Sequence, residues 1–541
     1  DDTYARINVA KIKRIEILNG ASSALYGTNA IGGVINIITD DAKNAINVSS
    51  DTRYASKGRF TQSVNIDVNT GKFGSYTSYR RQQAEGWQLN PYEENSKTHE
   101  LEETGKVAST GFYANTVNQK FTFDATDKLS FYARGGYYDN KTRRPYEAYD
   151  YNILHETFNY GIGAQYMINK GNYITADCYA DHFSSSYCFF KDNKTYNGKA
   201  GEEQVRKRTR NHNLSIKGIF KLGNRHKLSV GTEYIVDVLK SQTDNIAKED
   251  AYTLALFAQD EIKLLRNLQA LIGVRYIYHE NFKNHATPNV ALMYKPGKFN
   301  FRASYAAGFR TPTLSELYAT DIAKKNDRLT IGNLDLKPEK NNYFSLSAEY
   351  VHERFSVSVN AFYNNIRDMI DYNTIATGDK AMEQYGHKEV RQRDNIAEAK
   401  VHGINVSANA YLGAGFNLSG GYTHLNTQDV ELEQPIDKSI KNAYNINAQW
   451  AHSWKIYRLN INLNGRINSK RFSKSYGYAP EYQLWDLNTR HSFNLKSVII
   501  EPGCGMENLF DYMDDRPYNS NYATLTPGRS FYISLSLKFK S

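Results

Sequence analysis

Residues 13–40 read KRIEILNGASSALYGTNAIGGVINIITD, and the reading of this stretch decides the fold. Its two ends, Arg14–Leu18 and Val34–Thr39, are rich in Ile and Val, whose branched side chains fit a pleated surface, and are predicted to be strands. Between them, Gly20, Gly27, Gly32 and Gly33 permit bends that a residue with a Cβ resists. By spacing alone this is two strands and a loop, which any α+β domain would also contain. The chain that follows has a different texture. From Asp40 to the C-terminus apolar and polar residues alternate with period two, broken by frequent turns.

The chain has 541 residues, 40% of them hydrophobic, with a mean hydropathy of −0.64. No run of about 18 or more apolar residues occurs, which excludes membrane-spanning helices. A transmembrane β-barrel is not excluded, because its strands alternate lipid-facing and lumen-facing side chains and so dilute hydropathy. Aromatic residues make up 13%, including 42 Tyr. Tyr suits both the girdles at membrane interfaces and loops that touch ligands, although a Tyr-rich soluble β protein would share this composition. The formal charge of +10 comes from scattered rather than clustered basic residues, which argues against nucleic acid as a partner. Cys178, Cys188 and Cys504 offer neither a disulfide framework nor metal-ligand spacing, so no metal site and no cofactor are expected. The chain opens on DDTYARINV, with no secretion signal visible.

Alternation is clearest in Leu129–Tyr138, Tyr173–Phe183, Phe299–Ala307, Phe355–Tyr363, Ile404–Tyr411, Phe416–Tyr422 and Tyr457–Ile467. In YITADCYADHF, Ile174, Ala176, Cys178 and Ala180 share one face, and Thr175, Asp177, Tyr179 and Asp181 the other. That pattern suits a wall between lipid and a wet lumen, and a half-exposed soluble sheet almost as well. The connections discriminate better. Tight turns are predicted at Asp127-Lys128, Asn169–Asn172, Gly223–Arg225, Lys295–Lys298 and Gly413–Gly415. Long polar loops are predicted at Ser184–Asn211, Ser241–Asp250, Thr311–Asn342, Tyr372–Ala399 and Asn426–Asn442. Short and long connections tend to alternate, as in an outer-membrane barrel with short periplasmic turns and long external loops. About 500 residues at roughly 23 per strand and connection give about 22 strands.

The C-terminus reads GMENLFDY (Gly505–Tyr512) and then TPGRSFYISLSLKF (Thr526–Phe539). In the middle lie GFRTPTLSELY (Gly308–Tyr318) and GNLDLKPE (Gly332–Glu339), whose Pro312 and Pro338 stiffen the two ends of a long loop. FYNNIRDMI (Phe362–Ile370) and NIAEAKVHGINV (Asn395–Val406) complete the set.

These strings resemble the TonB-dependent outer-membrane receptors, nearest in flavour to the haem, cobalamin and catecholate-siderophore branch. Residues 13–40 are similar to the end of that family's plug, with Asn19 where a basic residue is usual and Ala21 where Pro is usual. The central pair resembles its FRAP and NPNL boxes, with Thr311 in place of Ala and Asn333–Leu336 in place of NPNL. The last strand resembles its terminal aromatic strand, followed here by Lys540 and Ser541. The resemblance implies an all-β fold: a large antiparallel transmembrane β-barrel over residues 44–541, preceded by the C-terminal part of an α+β plug domain over residues 1–43. Most of the plug, the TonB box and the secretion signal are then expected to lie before Asp1. The implied function is active import across the bacterial outer membrane of a scarce metal chelate, such as a ferric siderophore or haem, with cobalamin as the alternative. The implied partners are that chelate, the TonB energy-transducing complex, outer-membrane lipid and lipopolysaccharide, with room for a surface lipoprotein. No nucleophile–base constellation or phosphate loop stands out, so the chain is not read as an enzyme. A passive porin or adhesin barrel is the rival, and the plug-like stretch argues against it.

The ligand is harder to read. Haem receptors commonly carry a His between the two central boxes, and Arg310–Pro338 has none. His387 and its neighbour Tyr385 are candidates, since imidazole and phenolate both ligate haem iron; His155 is a weaker one. Arg206, Lys207, Arg208 and Arg210 suit an anionic ferric siderophore, or else a solvated loop face or lipopolysaccharide. Tyr187, Phe189 and Phe190 could stack on a planar ligand or pack their loop. Arg14, Glu16 and Glu339 are expected at the plug–barrel contact, with Arg14 and Glu339 in reach of each other or of compensating charges. Phe531–Phe539 is expected to pair with a strand near Asn44–Tyr54, and the ligand to be captured by the Thr311–Asn342 and Tyr372–Ala399 loops.

Overall fold

The computed structural model describes residues 12–19, 33–39, 45–95, 98–323 and 327–540. Strands Ile12–Asn19 and Gly33–Thr39 form an antiparallel pair with Leu18 opposite Val34, as the Ile- and Val-rich ends of the opening stretch suggested. Gly20, Gly27 and Gly32 of the connecting loop lie outside the described residues. From Ile46 to Lys540 the described residues form a closed antiparallel barrel with 22 strands in its wall. It closes where Ile46–Ala55 meets Ser530–Lys540, with Val48 opposite Phe539 and Tyr54 opposite Ile533. The C-terminal aromatic strand therefore pairs where its sequence suggested.

The period-two pattern is the barrel's inside–outside code. On Lys283–Tyr294 the exposed Val290, Leu292 and Tyr294 face outward, whereas Asn289, Ala291 and Met293 line the lumen. On Asn172–Phe189 the exposed Ile174 and Cys178 face out. Asp177 faces in and accepts from the Tyr132 hydroxyl, and Tyr179 lies under the Arg134 guanidinium at 4.7 Å. Outward aromatics gather in two belts. One lies near the short turns, with Trp454 stacked on Tyr457 at 5.6 Å and Phe299 on Phe301 at 5.8 Å. The other includes Tyr234, Tyr252 and Tyr278, and the Tyr422–Tyr444 stack at 4.7 Å. Tyr444 and Trp454 stand on one strand, ten steps of roughly 3.3 Å apart, which a tilt near 40° reduces to about 25 Å. That is the height of an outer-membrane apolar band.

All the predicted tight turns join strands at one end of the barrel. The predicted long loops require correction. Glu203–Leu222 is 20 residues long, Phe355–Thr377 is 23 and Glu389–Gly413 is 25, against the ~9–11 that span a membrane. Strand pairing thus continues beyond the membrane into segments whose polarity reads as loop. The Ser184–Asn211 connection contracts to 190–202, and Ser241–Asp250 to 242–245. Arg206, Arg208 and Arg210 stand on a strand, not in a loop. Long connections at 85–110, 469–481 and 508–529 escaped the sequence reading.

The C-terminal motif staples the last long connection. Asn508 donates its side-chain amide to the Tyr512 carbonyl and accepts from the Tyr512 amide, while Arg529 Nε donates to the Leu509 carbonyl. Next to it, Glu507 pairs with Arg53 and with Arg59 (2.7 Å), joining the penultimate wall strand to the first two across the seam. All three are partly exposed to the lumen, which weakens the pairs relative to dry ones. Glu507→Gln is expected to cost about 1–2 kcal/mol, below the price of breaking a fully buried pair. The check is the temperature at which the folded barrel loses its compact electrophoretic mobility, which should fall, with Lys227→Gln on an exposed pair as the unaffected control.

Candidate functional site

The end of the barrel opposite the short turns is built from three connected groups of side chains. The first grows from GFRTPTLSELY. Strand pairing sets Arg310 opposite Glu339, and the guanidinium donates to both Glu339 oxygens at 2.8 and 2.6 Å and to both Glu316 oxygens at 2.9 and 3.2 Å. Glu316 also completes a capping box with Thr313 on the helix Leu314–Tyr318, the role that the T-x-x-E spacing suits. Burial pushes the Glu316 carboxyl up, but Arg310 and Thr313 outweigh it and hold the group below its usual range. Glu339 further accepts from the Ile370 amide at 2.9 Å, so the knot also grips the neighbouring strand Phe355–Thr377.

The second group joins the two segments expected to capture ligand. Arg328–Ile331 pairs in parallel with Glu389–Gln392, a ladder within the mouth that no hairpin rule would suggest. Ala376, Ala381 and Val390 are buried beneath it, with Leu329, Ile331 and Tyr385 packed against them. His387 Nδ1 lies 2.8 Å from Asp327 Oδ1, clasping the two segments. That hydrogen bond holds the Asp327 carboxyl below its usual range. Beside the ladder is a cavity of about 150 Å³ bordered by Arg328, Arg391, Arg393, Tyr372, Asp244 and Asp321. Arg393 lies 3.5 Å over the Tyr372 ring and donates to its hydroxyl at 2.6 Å. Arg328 Nε is buried there without a hydrogen-bond partner among the described residues. Burial, and then the neighbouring Asp244, push the Asp321 carboxyl up.

The third group is aromatic. Tyr151 stacks on Tyr187 at 4.1 Å, with Phe189 and Tyr196 within 5.7 Å of Tyr151. Arg206 lies over Tyr187 at 5.3 Å and Tyr196 at 5.1 Å, and Arg144 over Tyr151 at 5.1 Å. Tyr187, Phe189 and Arg206, singled out from sequence, are thus brought together. Arg208 and Arg210 leave this group for the outer wall. Two adjacent residues tie the aromatic group to the arginine cavity. Arg206 donates to Gln242 at 2.9 Å, and Lys207 reaches Asp244 at 3.7 Å.

The remaining candidates sit elsewhere. Arg14 pairs with Glu16 at 2.6 Å within the N-terminal hairpin, and Asn36 donates to Glu16 at 3.0 Å. Neither meets Glu339, whose partner is Arg310. His155 is on a wall strand beside Phe183. Arg328, Arg391, Arg393, Tyr372 and Tyr151 escaped the sequence reading. The alternation in VRQR (Val390–Arg393) carried a signal, two arginines on one strand face above buried Val390.

Such a barrel, apolar outside and with an arginine- and tyrosine-lined mouth, is an outer-membrane receptor or transporter. Residues 62–501 match the TonB dependent receptor-like β-barrel family, and residues 1–34 match the TonB-dependent Receptor Plug Domain. The chain belongs to the TonB-dependent receptors of the bacterial outer membrane, and its long-loop end is the external one. Among solved structures it is similar to the ferric enterobactin receptor of Pseudomonas aeruginosa (TM-score 0.83, 17% identity, covering 99% of this chain and 86% of that one). It is also similar to the siderophore receptor PirA of Acinetobacter baumannii (0.79, 17%, 99% and 86%). A third is the FrpB iron transporter of Neisseria meningitidis (0.76, 14%, 98% and 88%). At these identities the likeness establishes the fold.

Removing Arg310 would leave Glu316 and Glu339 largely buried without their cation, so Arg310→Ala is expected to cost about 3–5 kcal/mol. Denaturant unfolding in detergent measures it. Because the Glu316 carboxyl is depressed in the folded state, its contribution is present above the unfolded value of about 4.3 and lost only as pH falls through the lower folded value. Mild acid should therefore leave the knot intact.

Proposed function

We propose that this receptor imports an anionic metal chelate of the siderophore class, first held at the external mouth by its arginines and tyrosines. The observation that carries this reading is the run of Arg206, Arg328, Arg391 and Arg393 with Tyr187 and Tyr372 along one rim. Guanidinium groups pair with anionic oxygens and stack on aromatic faces, and Tyr offers a rigid ring with a polar tip. The cavity of about 150 Å³ takes one substituent of a chelate, with the wider mouth holding the rest. The similar structures include receptors for ferric enterobactin and for siderophores, which supports the same class.

The finer parts of the reading follow from family membership. Residues 1–43 would be the end of the plug and 44–541 the barrel, with Arg14 and Glu16 offering charges to hold the plug in place. The TonB complex would supply the energy, and release would be a conformational step. His387 and Tyr385 enter this reading as loop-organising residues, because one clasps Asp327 and the other packs on the loop core.

Binding to the full-length receptor of a panel of ferric catecholate siderophore, haem and cobalamin tests the reading. The ferric catecholate should bind, and Arg391→Ala with Arg393→Ala should weaken it by tenfold or more, about 1.4 kcal/mol. His387→Ala, which loosens the Asp327 clasp but removes no proposed ligand contact, should weaken siderophore binding by less than about tenfold. Tight haem binding that His387→Ala abolishes would overturn the siderophore assignment.

A further inference from the structure

The arginine cavity at the mouth also carries acid, and strand register sets the two signs side by side. Thr320–Ala323 pairs with Arg328–Ile331, which pairs in turn with Glu389–Gln392. One row across these strands places Asp321 opposite Thr330, and Thr330 opposite Arg391. Opposed residues share a sheet face, so Asp321 and Arg391 flank Thr330 about 10 Å apart, two strand spacings. Arg328 stands two residues before Thr330 on that face, diagonal to Asp321. All four line the cavity of about 150 Å³. That size suits one small substituent, well below the ~300–1,000 Å³ of sites that enclose a whole drug-sized ligand.

Most charges around this cavity are answered within the protein. Asp244 has Lys207 at 3.7 Å and accepts from the Ser315 hydroxyl at 3.1 Å. Arg391 donates Nε to Glu389, and Arg393 lies over the Tyr372 ring and donates to its hydroxyl. Two groups are left. Among the described residues Asp321 forms no ion pair, and Arg328 Nε is buried without a hydrogen-bond partner. As diagonal neighbours they lie about 7–8 Å apart at the backbone. They feel each other's charge but stop short of an ion pair, with the cavity beside both.

A purely anionic group would meet Arg328 and Arg391 but be repelled by Asp321, and a purely cationic group would meet the reverse. A zwitterion answers both signs. In an α-amino acid the ammonium and carboxylate stand one carbon apart, and a charge-assisted hydrogen bond of about 2.8 Å at each end extends them across the gap between Asp321 and Arg391. We infer that the cavity takes a free α-amino-acid group of the chelate, its carboxylate received by Arg328 and Arg391 and its ammonium by Asp321. The inference rests on the siderophore reading of the mouth and names the substituent that the cavity selects. Burial and Asp244 push the Asp321 carboxyl up, and a bound ammonium supplies the cation that this carboxyl lacks.

The test is calorimetric titration of the full-length receptor in detergent with three ferric tris-catecholates. The first carries one free α-amino-acid group, the second lacks its amino group, and the third has its carboxylate replaced by a carboxamide. The first should bind at least about tenfold more tightly than either of the others, because a site built for a polar group rejects the analogue that lacks it. Asp321→Asn should erase the preference over the form without the amino group and keep the preference over the carboxamide. Arg328→Gln should do the opposite. This crossed pattern is one that a merely loosened mouth would not produce. Equal binding of the three chelates, or variants that lose both preferences together or neither, would overturn the subsite and leave the siderophore reading standing. No binding of any of the three would overturn the siderophore reading itself, and the subsite with it.

Discussion

In hydrocarbon an unpaired peptide N–H or C=O has no water to satisfy it, and each costs several kcal/mol. A sheet can enter a membrane only when it has no edge, so the pairing of Ile46–Ala55 with Ser530–Lys540 is the condition on which every other strand depends. The chain supports that seam on both sides. Outside, Phe531, Ile533, Leu535 and Phe539 face lipid. Inside, Glu507 joins Arg53 and Arg59, and Arg53 lies 4.0 Å over the Tyr532 ring. The staple around Asn508 and Arg529 sets the geometry in which the last strand returns to the wall.

Closure also decides where function can reside. The lipid-facing surface is committed to apolar and aromatic side chains, and the lumen to polar ones, short like Ser304, Ser345 and Asn360 or mutually engaged like Tyr132 and Asp177. The arginines and tyrosines of the mouth stand on the strand extensions beyond the membrane, where water lowers the cost of charge. There the same ladder chemistry continues as scaffold. The Arg310–Glu316–Glu339 knot, the parallel ladder of Arg328–Ile331 on Glu389–Gln392 and the His387–Asp327 clasp hold connections that would otherwise wander. A rim made rigid in this way presents its arginines at fixed spacing, which reduces the ordering cost of binding.

Much of this architecture follows from local physics and was legible in the chain. Period-two alternation arises from the pleat itself, so Ile174 and Cys178 could be separated from Asp177 and Tyr179 without a structure. Tight turns at Gly223–Arg225 and Gly413–Gly415 declare themselves through turn chemistry. The literal strings at residues 13–40 and at the C-terminus carried the family. Polarity misled at the strand ends, because a polar strand above the membrane and a polar loop have the same composition. That is why Arg206, Arg208 and Arg210 read as one loop cluster.

Tertiary structure alone decided how those residues divide. The bulge where Ser185 and Ser186 meet Lys207 and Val205 leaves Arg206 free to turn over Tyr187 and Tyr196, while Arg208 and Arg210 face the membrane side. It also gave Glu339 to Arg310 rather than to Arg14, and set His387 against Asp327. The sequence by itself determined the alternation, the turns, the closing strand and the family, since each depends on residues near one another along the chain or on a literal string. Which side chains meet at the mouth depends on register and closure between strands hundreds of residues apart, and no local pattern encodes that meeting.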